Sequence, residues 1–510
     1  MWTCRRLSLR LSTTVRSFRS SCISFTSSGS HLSDVSIESL SISQRSKDVL
    51  MRDMGYKFLT HVQKDTLSLA LNGCDVLAKG KTGNGKTIAF LLPTIERMLN
   101  HQHSKDKISA LVISPTRELA QQIAVEAVKL TDTHGLHTSC FVGGNSVRED
   151  MKELERPGGI DVLVSTPGRL QAHLEDNSAR IRQKLDKLQV LVLDEADRLL
   201  DMGFRSNIIQ IISFLPKTRQ TLLFSATLPA TTDKLKDIAL RNDYVYVDTI
   251  EGNDQHTNTQ AIQEFIVCDL KDVISVVESV LEAHMKLRAY KIIVFLPTAR
   301  SAQFMAQLFQ VAGFPNVLEM HSRKSQSARS KAAEAFRKGK KMIMFSSDVS
   351  ARGVDYPDVS LVVQVGLTDR DQYIHRLGRT ARAGMEGRGV LVLADFETAM
   401  LRDLADLPLA ELKLQSHPDQ HSSRTTRVLA NSRTCCDLKQ SAEKAYVAFL
   451  GFYNSNLKKL RMSKSKLVET GALYSKLIGL EKVPLLQKKT LRAMGLINTP
   501  GLVPASKDKG

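Results

Sequence analysis

Two short runs in this 510-residue chain carry side chains whose types and spacing can do chemistry. The first is Gly80-Lys81-Thr82-Gly83-Asn84-Gly85-Lys86-Thr87, a G-x-x-x-x-G-K-[ST] pattern. Glycines there let backbone N–H groups turn inward around phosphate oxygens, the lysine reaches the β- and γ-phosphates, and the terminal hydroxyl takes Mg²⁺. The second is VLVLDEADRLLD, residues 190–201, an aliphatic run that turns acidic at Asp194, Glu195 and Asp197. Asp194 is placed to hold Mg²⁺ through water, because that cation dehydrates reluctantly and takes few protein ligands. Glu195, one residue on, can orient or deprotonate a water in line with a γ-phosphate. The competing reading has these acids only cap a helix starting near Arg198, which suits Asp197 and not Asp194.

Such groups need strands to end beside them. Apolar runs occur at 75–80, 110–115, 161–167, 190–196 and 221–227, with helical patterns between them. That alternation implies βαβ units and a parallel sheet, whose ligands lie beyond the carboxyl ends of the strands. It restarts at 291–298, 341–348, 361–366 and 389–395. The expected fold is therefore α/β, with two tandem parallel-sheet domains at 34–250 and 261–415, a polar linker at 251–260, and a basic, mostly helical extension at 416–510.

The charge is concentrated at the ends. Residues 1–33 hold five arginines and no acid, and residues 421–510 hold 17 Lys/Arg against 5 Asp/Glu, leaving roughly +1 of the overall +18 for everything between. A basic tail of this kind favours a polyanionic partner, nucleic acid before membrane. The first 33 residues, Arg- and Ser-rich with Leu7, Leu11, Val15 and Phe18 on one helical face, fit an organellar transit peptide. Mitochondrion is the expected destination, with plastid as the alternative. No run reaches the ~20 apolar residues of a membrane-spanning helix, so no membrane partner is expected. Seven scattered cysteines without metal-ligand spacing point to a reducing compartment and no structural disulfides.

From about 37 to 395 the chain resembles the DEAD-box RNA helicases, through "DEAD" at 194–197 and further motifs in that family's order. The resemblance implies two RecA-like domains of the P-loop NTPase type, ATP and Mg²⁺ as ligands, a monomer, and an RNA partner, single-stranded or short duplex, bound with little sequence preference. It implies that Tyr56, Thr60 and Gln63 in GYKFLTHVQ read adenine. Pro115, Thr116 and Arg117, Gly143 and Gly144, and Thr166, Pro167, Gly168 and Arg169 are implied RNA-backbone contacts. Ser225 and Thr227 in SAT couple hydrolysis to strand separation. In the second half it implies RNA contacts at Gln326, Arg329 and Arg352, a sugar contact at Asp355, and γ-phosphate contacts at Arg379 and Arg382 in HRLGRTAR. The extension resembles that of mitochondrial members acting as RNA chaperones in intron splicing, and its aromatics Tyr446, Phe449, Phe452 and Tyr453 read as a small core rather than base-stacking platforms.

Departures from the family pattern are Gly80 for Ala, Ala381 for Gly, His61-Val62 for Pro-Ile, and an aliphatic residue near Ile37 for an adenine-stacking aromatic. The last two imply a looser hold on adenine. The expected activity is RNA-stimulated ATP hydrolysis with local duplex separation and RNA or RNP remodelling. The alternatives are an ATP-gated RNA clamp with incidental turnover and, from the charge alone, a DNA translocase.

Overall fold

The computed structural model describes residues 32–80, 83–100, 106–176, 180–228, 232–249, 261–348, 356–381, 387–413, 423–431, 436–502 and 504. The chain divides into two units, Met1–Glu251 and Gly252–Gly510.

In the first unit, β3 (Val76–Lys79), β4 (Ala110–Ile113), β5 (Thr138–Phe141), β6 (Val162–Ser165), β7 (Val190–Leu193), β8 (Gln220–Ser225) and β9 (Val245–Asp248) form one parallel sheet in the order β5-β6-β4-β7-β8-β3-β9. The central strands β4, β6 and β7 are buried throughout. Because strand side chains alternate, their residues feed two separate cores: Val112, Val164 and Val192 pack in one, and Leu111, Leu163 and Leu191 in the other. Helices must then cover both faces, which is why these strands read as unbroken apolar runs. A two-stranded antiparallel pair, β1 (Leu32–Ser36) and β2 (Phe58–Thr60), precedes the sheet. The strand β1 begins inside the segment read as a leader, so a leader ending at residue 33 would overlap it.

The second unit repeats the plan. Strands β10 (Ala261–Cys268), β11 (Lys291–Phe295), β12 (Val317–Met320), β13 (Met342–Ser346), β14 (Leu361–Val365), β15 (Gly387–Ala394) and β16 (Leu409–Glu411) are parallel, in the order β12-β13-β11-β14-β15-β10-β16. The extension is part of this unit. Its 20-residue helix Cys436–Ser455 packs on helix Ala299–Val311, and helix Lys464–Leu477 packs on it in turn. Tyr446, Phe449 and Tyr453 lie in the same hydrophobic cluster as β11, β14 and β15, and the Phe449 ring stacks on Tyr474 at 4.2 Å. Among the described residues Cys74, Cys140, Cys268 and Cys436 are free thiols, and no helix is long and apolar enough to cross a membrane.

Candidate nucleotide and nucleic-acid sites

Strand order divides the carboxyl edge of the first sheet into two halves. The phosphate loop follows β3, the acidic run follows β7 and SAT ends β8, and these three strands are neighbours. PTRELA follows β4, the Gly143-Gly144 turn follows β5 and TPGR follows β6, again neighbours on the other side. The first cluster thereby joins the phosphate loop to an acidic run that starts at Asp194, and the second gathers segments spread from Pro115 to Arg169.

In the first cluster Lys86 opens helix Lys86–Asn100, and its ammonium turns back to the carbonyl of Gly80 at 2.9 Å. Gly85 has φ +78°, and a Cβ there would meet Gln63 Nε2 at 2.5 Å, so only glycine fits. That close approach is functional in form: Gln63 Nε2 donates to the Gly85 carbonyl at 3.0 Å while Gln63 Oε1 accepts from Thr60 N–H at 2.9 Å. Thr60 and Gln63 form a capping box at the start of helix His61–Leu71, and this box ties the expected adenine-reading segment to the phosphate loop. Gly80 has its own reason here, because a Cβ would sit 3.0 Å from the Thr249 hydroxyl. Ile37 does not substitute for a stacking aromatic: it is 1 % exposed, inside the hydrophobic core of this unit. Tyr56 is half-buried and packs against that core.

Asp194 and Glu195 are both buried at the end of β7. Burial pushes the Asp194 carboxyl above the ordinary range, the Glu195 charge adds to that, and the Lys86 ammonium opposes it. Glu195 holds φ +49°, a left-handed conformation that costs a non-glycine residue about 1–3 kcal/mol and persists only where the surroundings impose it. The helix it precedes, Ala196–Asp201, starts two residues earlier than the capping reading requires, and within its first turn Asp197 Oδ1 accepts from the Arg198 N–H at 2.9 Å. Asp197 also reaches β8. Its Oδ2 accepts from Thr227 Oγ1 at 2.9 Å and Thr227 N–H at 3.2 Å, and its own N–H donates to Ser225 Oγ at 3.2 Å. The Ser225 carbonyl accepts from Gly80 N–H at 3.0 Å. The acidic run, SAT and the phosphate loop are thus one hydrogen-bonded unit, with Asp197 as a joint that sequence reading assigned to capping.

On the other half, Thr116 caps helix Arg117–Asp132, and the Arg117 guanidinium lies so close to Gly143 that a Cβ there would be 2.9 Å from Nη2. Pro115, Thr166 and Pro167 are buried, while Gly144 and Gly168 are exposed. Arg169 is committed within the protein. It donates to the carbonyls of Val142 and Asn145 and pairs with buried Asp150, which also accepts from His173.

In the second unit Gln326 and Arg329 sit buried on helix Gln326–Lys338, behind the Ser325 cap. Arg379 is 2 % exposed, with Nε donating to the His375 carbonyl at 3.4 Å. Its neighbour Arg376 pairs with a carboxylate: Nε and Nη2 bond Asp348 Oδ1 at 2.9 and 2.6 Å. Gln372 donates to the same oxygen at 2.7 Å. Arg376 lies inside HRLGRTAR and Asp348 ends the apolar run at 341–348, yet nothing in their spacing marks them as a pair. Ala381 has φ +53°, so alanine at this family glycine position is strained rather than neutral. Lys81, Thr82, Arg352, Asp355 and Arg382 lie outside the described residues.

Comparison with known proteins decides the family. Residues 60–235 match the DEAD/DEAH box helicase model and residues 271–384 the helicase conserved C-terminal domain. The rice DEAD-box ATP-dependent RNA helicase 26 is 45 % identical over 477 residues, covering 93 % of this chain and 87 % of that protein. This chain belongs to the DEAD-box ATP-dependent RNA helicase family. A second rice member of the family, helicase 25, is 44 % identical over 93 % of this chain and 80 % of its own length. Among solved structures, this DEAD-box chain superposes on Mss116p bound to ssRNA and AMP-PNP with a TM-score of 0.80 and 28 % identity, covering 93 % and 97 % of the two chains. It superposes on S. cerevisiae Dbp5 bound to RNA and ADP BeF3 with a TM-score of 0.63 and 25 % identity, covering 74 % and 95 %. The rice helicase 26 match extends well past residue 384, where the domain models stop, so similarity reaches into the extension.

Proposed function

We propose that the protein hydrolyses ATP in response to RNA and uses the cycle to separate short duplexes and remodel RNA or RNP. The observation that carries this reading is the Asp197–Ser225–Thr227 joint, which makes the acidic run and SAT one mechanical element beside the phosphate loop. Lys86 and the N–H groups of the loop bind the triphosphate, and Thr60 and Gln63 set the loop against the base-binding segment. Thr87 and Asp194 are the residues that would hold Mg²⁺, which would supply positive charge to the phosphates. The donor set fits it: one hydroxyl and a carboxylate whose pKa is raised by burial and then by its acidic neighbour suit a cation that keeps most of its waters. Glu195 accepts the proton of the attacking water. Arg379 and Arg382, carried by the second unit, stabilise charge on the transferred phosphoryl group.

RNA lies along the loops after β5, β6 and β4, held through its backbone and therefore with little sequence preference. The exposed lysines of the extension add nonspecific attraction. The protein acts as a monomer, without a membrane partner, in an organelle reached through residues 1–33: the mitochondrion, with plastid as the alternative.

The test is ATP hydrolysis with and without single-stranded RNA, together with separation of a short labelled duplex. RNA-stimulated hydrolysis with ATP-dependent strand release is expected. Binding without stimulated turnover would leave only an RNA clamp. A fusion of residues 1–33 to a fluorescent protein reads out the destination, and diffuse cytosolic signal overturns it.

A further inference from the structure

Outside every motif of the sequence, one buried acid joins two of the loops assigned to RNA. Asp150 lies on helix Val147–Leu154, directly after the Gly143-Gly144 turn, and is 4 % exposed. Its Oδ2 forms an ion pair with the Arg169 guanidinium, 3.1 Å from Nε, and accepts a hydrogen bond from His173 Nε2 at 2.8 Å. Both partners stand on helix Pro167–Glu175, the helix opened by TPGR. Arg169 also donates to the carbonyls of Val142 and Asn145, the residues that flank the Gly143-Gly144 turn. The His173 ring packs on Phe141, the last residue of β5, with centroids 5.3 Å apart.

We infer that Asp150 is a positioning residue for RNA, clamping the Gly143-Gly144 turn to the amino end of helix Pro167–Glu175 so that both present backbone donors to one strand at a fixed spacing. The inference rests on the RNA reading proposed above. A buried carboxylate persists only where paired charge and donors satisfy it, and here the Arg169 charge and the His173 donor both come from a different loop, so the contact is a cross-link and not a local turn. Arg169 has its Nε and Nη2 turned inward and its side chain 8 % exposed, so it shapes the site through the turn it brackets. An apolar trio could fill the same volume at equal or better stability, but it would not fix the turn's carbonyls in direction.

Charge gives the proposal a sign. A carboxylate near an RNA backbone repels phosphates, so removing it strengthens RNA binding if electrostatics alone operates, and most at low salt. A positioning role requires the opposite.

The experiment uses the full chain, a labelled oligouridylate as the RNA probe, and the variants Asp150→Asn, His173→Gln and His173→Phe. With Asp150→Asn, the RNA concentration for half-maximal ATPase stimulation should rise on the order of tenfold or more, as misplacement of binding groups does. Turnover at saturating RNA should be retained. The slope of log affinity against log salt should be unchanged, since no phosphate contact is deleted. His173→Gln places an amide N–H where Nε2 stood, keeps the donor for Asp150 and should bind nearly as wild type, whereas His173→Phe keeps the ring against Phe141 without the donor and should bind more weakly.

A folded Asp150→Asn protein that binds the probe as tightly as wild type, or more tightly, overturns the inference. If Asp150→Asn does not fold, the His173 pair decides: equal affinities overturn it, and weakening confined to His173→Phe supports it. Wild-type protein that does not bind the probe removes the RNA reading, and this inference with it. Wild-type binding matched by all variants removes the inference alone.

Discussion

The Tyr453 hydroxyl, in the basic extension, donates at 2.5 Å to Oε1 of Glu397, a carboxylate in the second sheet unit that is 2 % exposed. Glu397 also accepts from the N–H groups of Leu367 and Ala394 at 2.7 and 2.9 Å. Burial pushes its carboxyl upward, against the pull of these three donors. A second buried acid, Glu278, is satisfied entirely from residues 423–425: by the hydroxyls of Ser423 and Thr425 and the N–H groups of Arg424 and Thr425. The extension therefore completes the second unit. Cutting it away at 421 would uncover the shared hydrophobic cluster and leave both acids short of partners, so truncation cannot isolate its role in RNA binding.

Tyr453→Phe should lower stability by about 1–3 kcal/mol, because it removes one donor from a buried acid while preserving the ring packing. Thermal melting of the variant reads this directly. A melting temperature equal to wild type would mean that the Glu397 contact contributes nothing.

The pH dependence of the Glu278 contact has a definite sign. Burial alone would raise its pKa, but the hydrogen bonds from Ser423, Thr425 and the backbone outweigh it and hold the group below its ordinary 4.5. An acid with a lowered native pKa adds stability above its unfolded value and loses it as pH falls through the native one. Wild-type protein should thus lose stability below about pH 4.5 more steeply than Glu278→Gln. Parallel stability curves for the two proteins in that range would remove the contact from the pH response.

Glu195→Gln should preserve ATP and RNA binding and nearly abolish turnover, since the amide keeps the shape at the end of β7 and loses the basicity. Nucleotide affinity and single-turnover hydrolysis measured side by side test this. Hydrolysis at the wild-type rate would take Glu195 out of its role.

Lys458, Lys482, Lys488 and Lys489 are exposed on the extension. Replacing all four with glutamine should flatten the salt dependence of single-stranded RNA binding by ~3 units of slope if each neutralises one phosphate, at about 0.7 per contact. The melting temperature should stay near wild type, which separates this role from the brace. An unchanged slope assigns RNA attraction to other residues.

Ala381→Gly should stabilise the protein by about 1 kcal/mol, because glycine relieves the left-handed strain by more than it adds to unfolded-chain entropy. A lower melting temperature in the variant would show that the alanine methyl group contributes packing worth more than the strain.

The central strands were legible because burial on both faces writes an unbroken apolar run. Of the strands the sequence did not mark, β5, β9, β12 and β16 are the four sheet edges, and β10 lies next to one. The pattern of β9 alternates between half-buried and exposed, and β16 is mostly exposed. An edge strand needs little apolar continuity, since one side has no neighbour, so periodicity cannot find it. The phosphate loop and the acidic run were legible because phosphate and metal chemistry demand fixed residue types at fixed local spacing.

The sequence by itself determined the family, the two sheets, the phosphate loop with Lys86 and Thr87, and the acids Asp194 and Glu195. Only the tertiary structure decided that Asp197 serves Thr227 as well as the start of its own helix, that Asp348 answers Arg376, and that Asp150 holds Arg169 and His173. It alone decided that the basic extension is a brace on the second sheet. Each of these is a hydrogen bond between side chains far apart in the chain, or brought together only by packing. Such a bond needs one donor and one acceptor at the right distance, and no spacing along the chain records which two will meet.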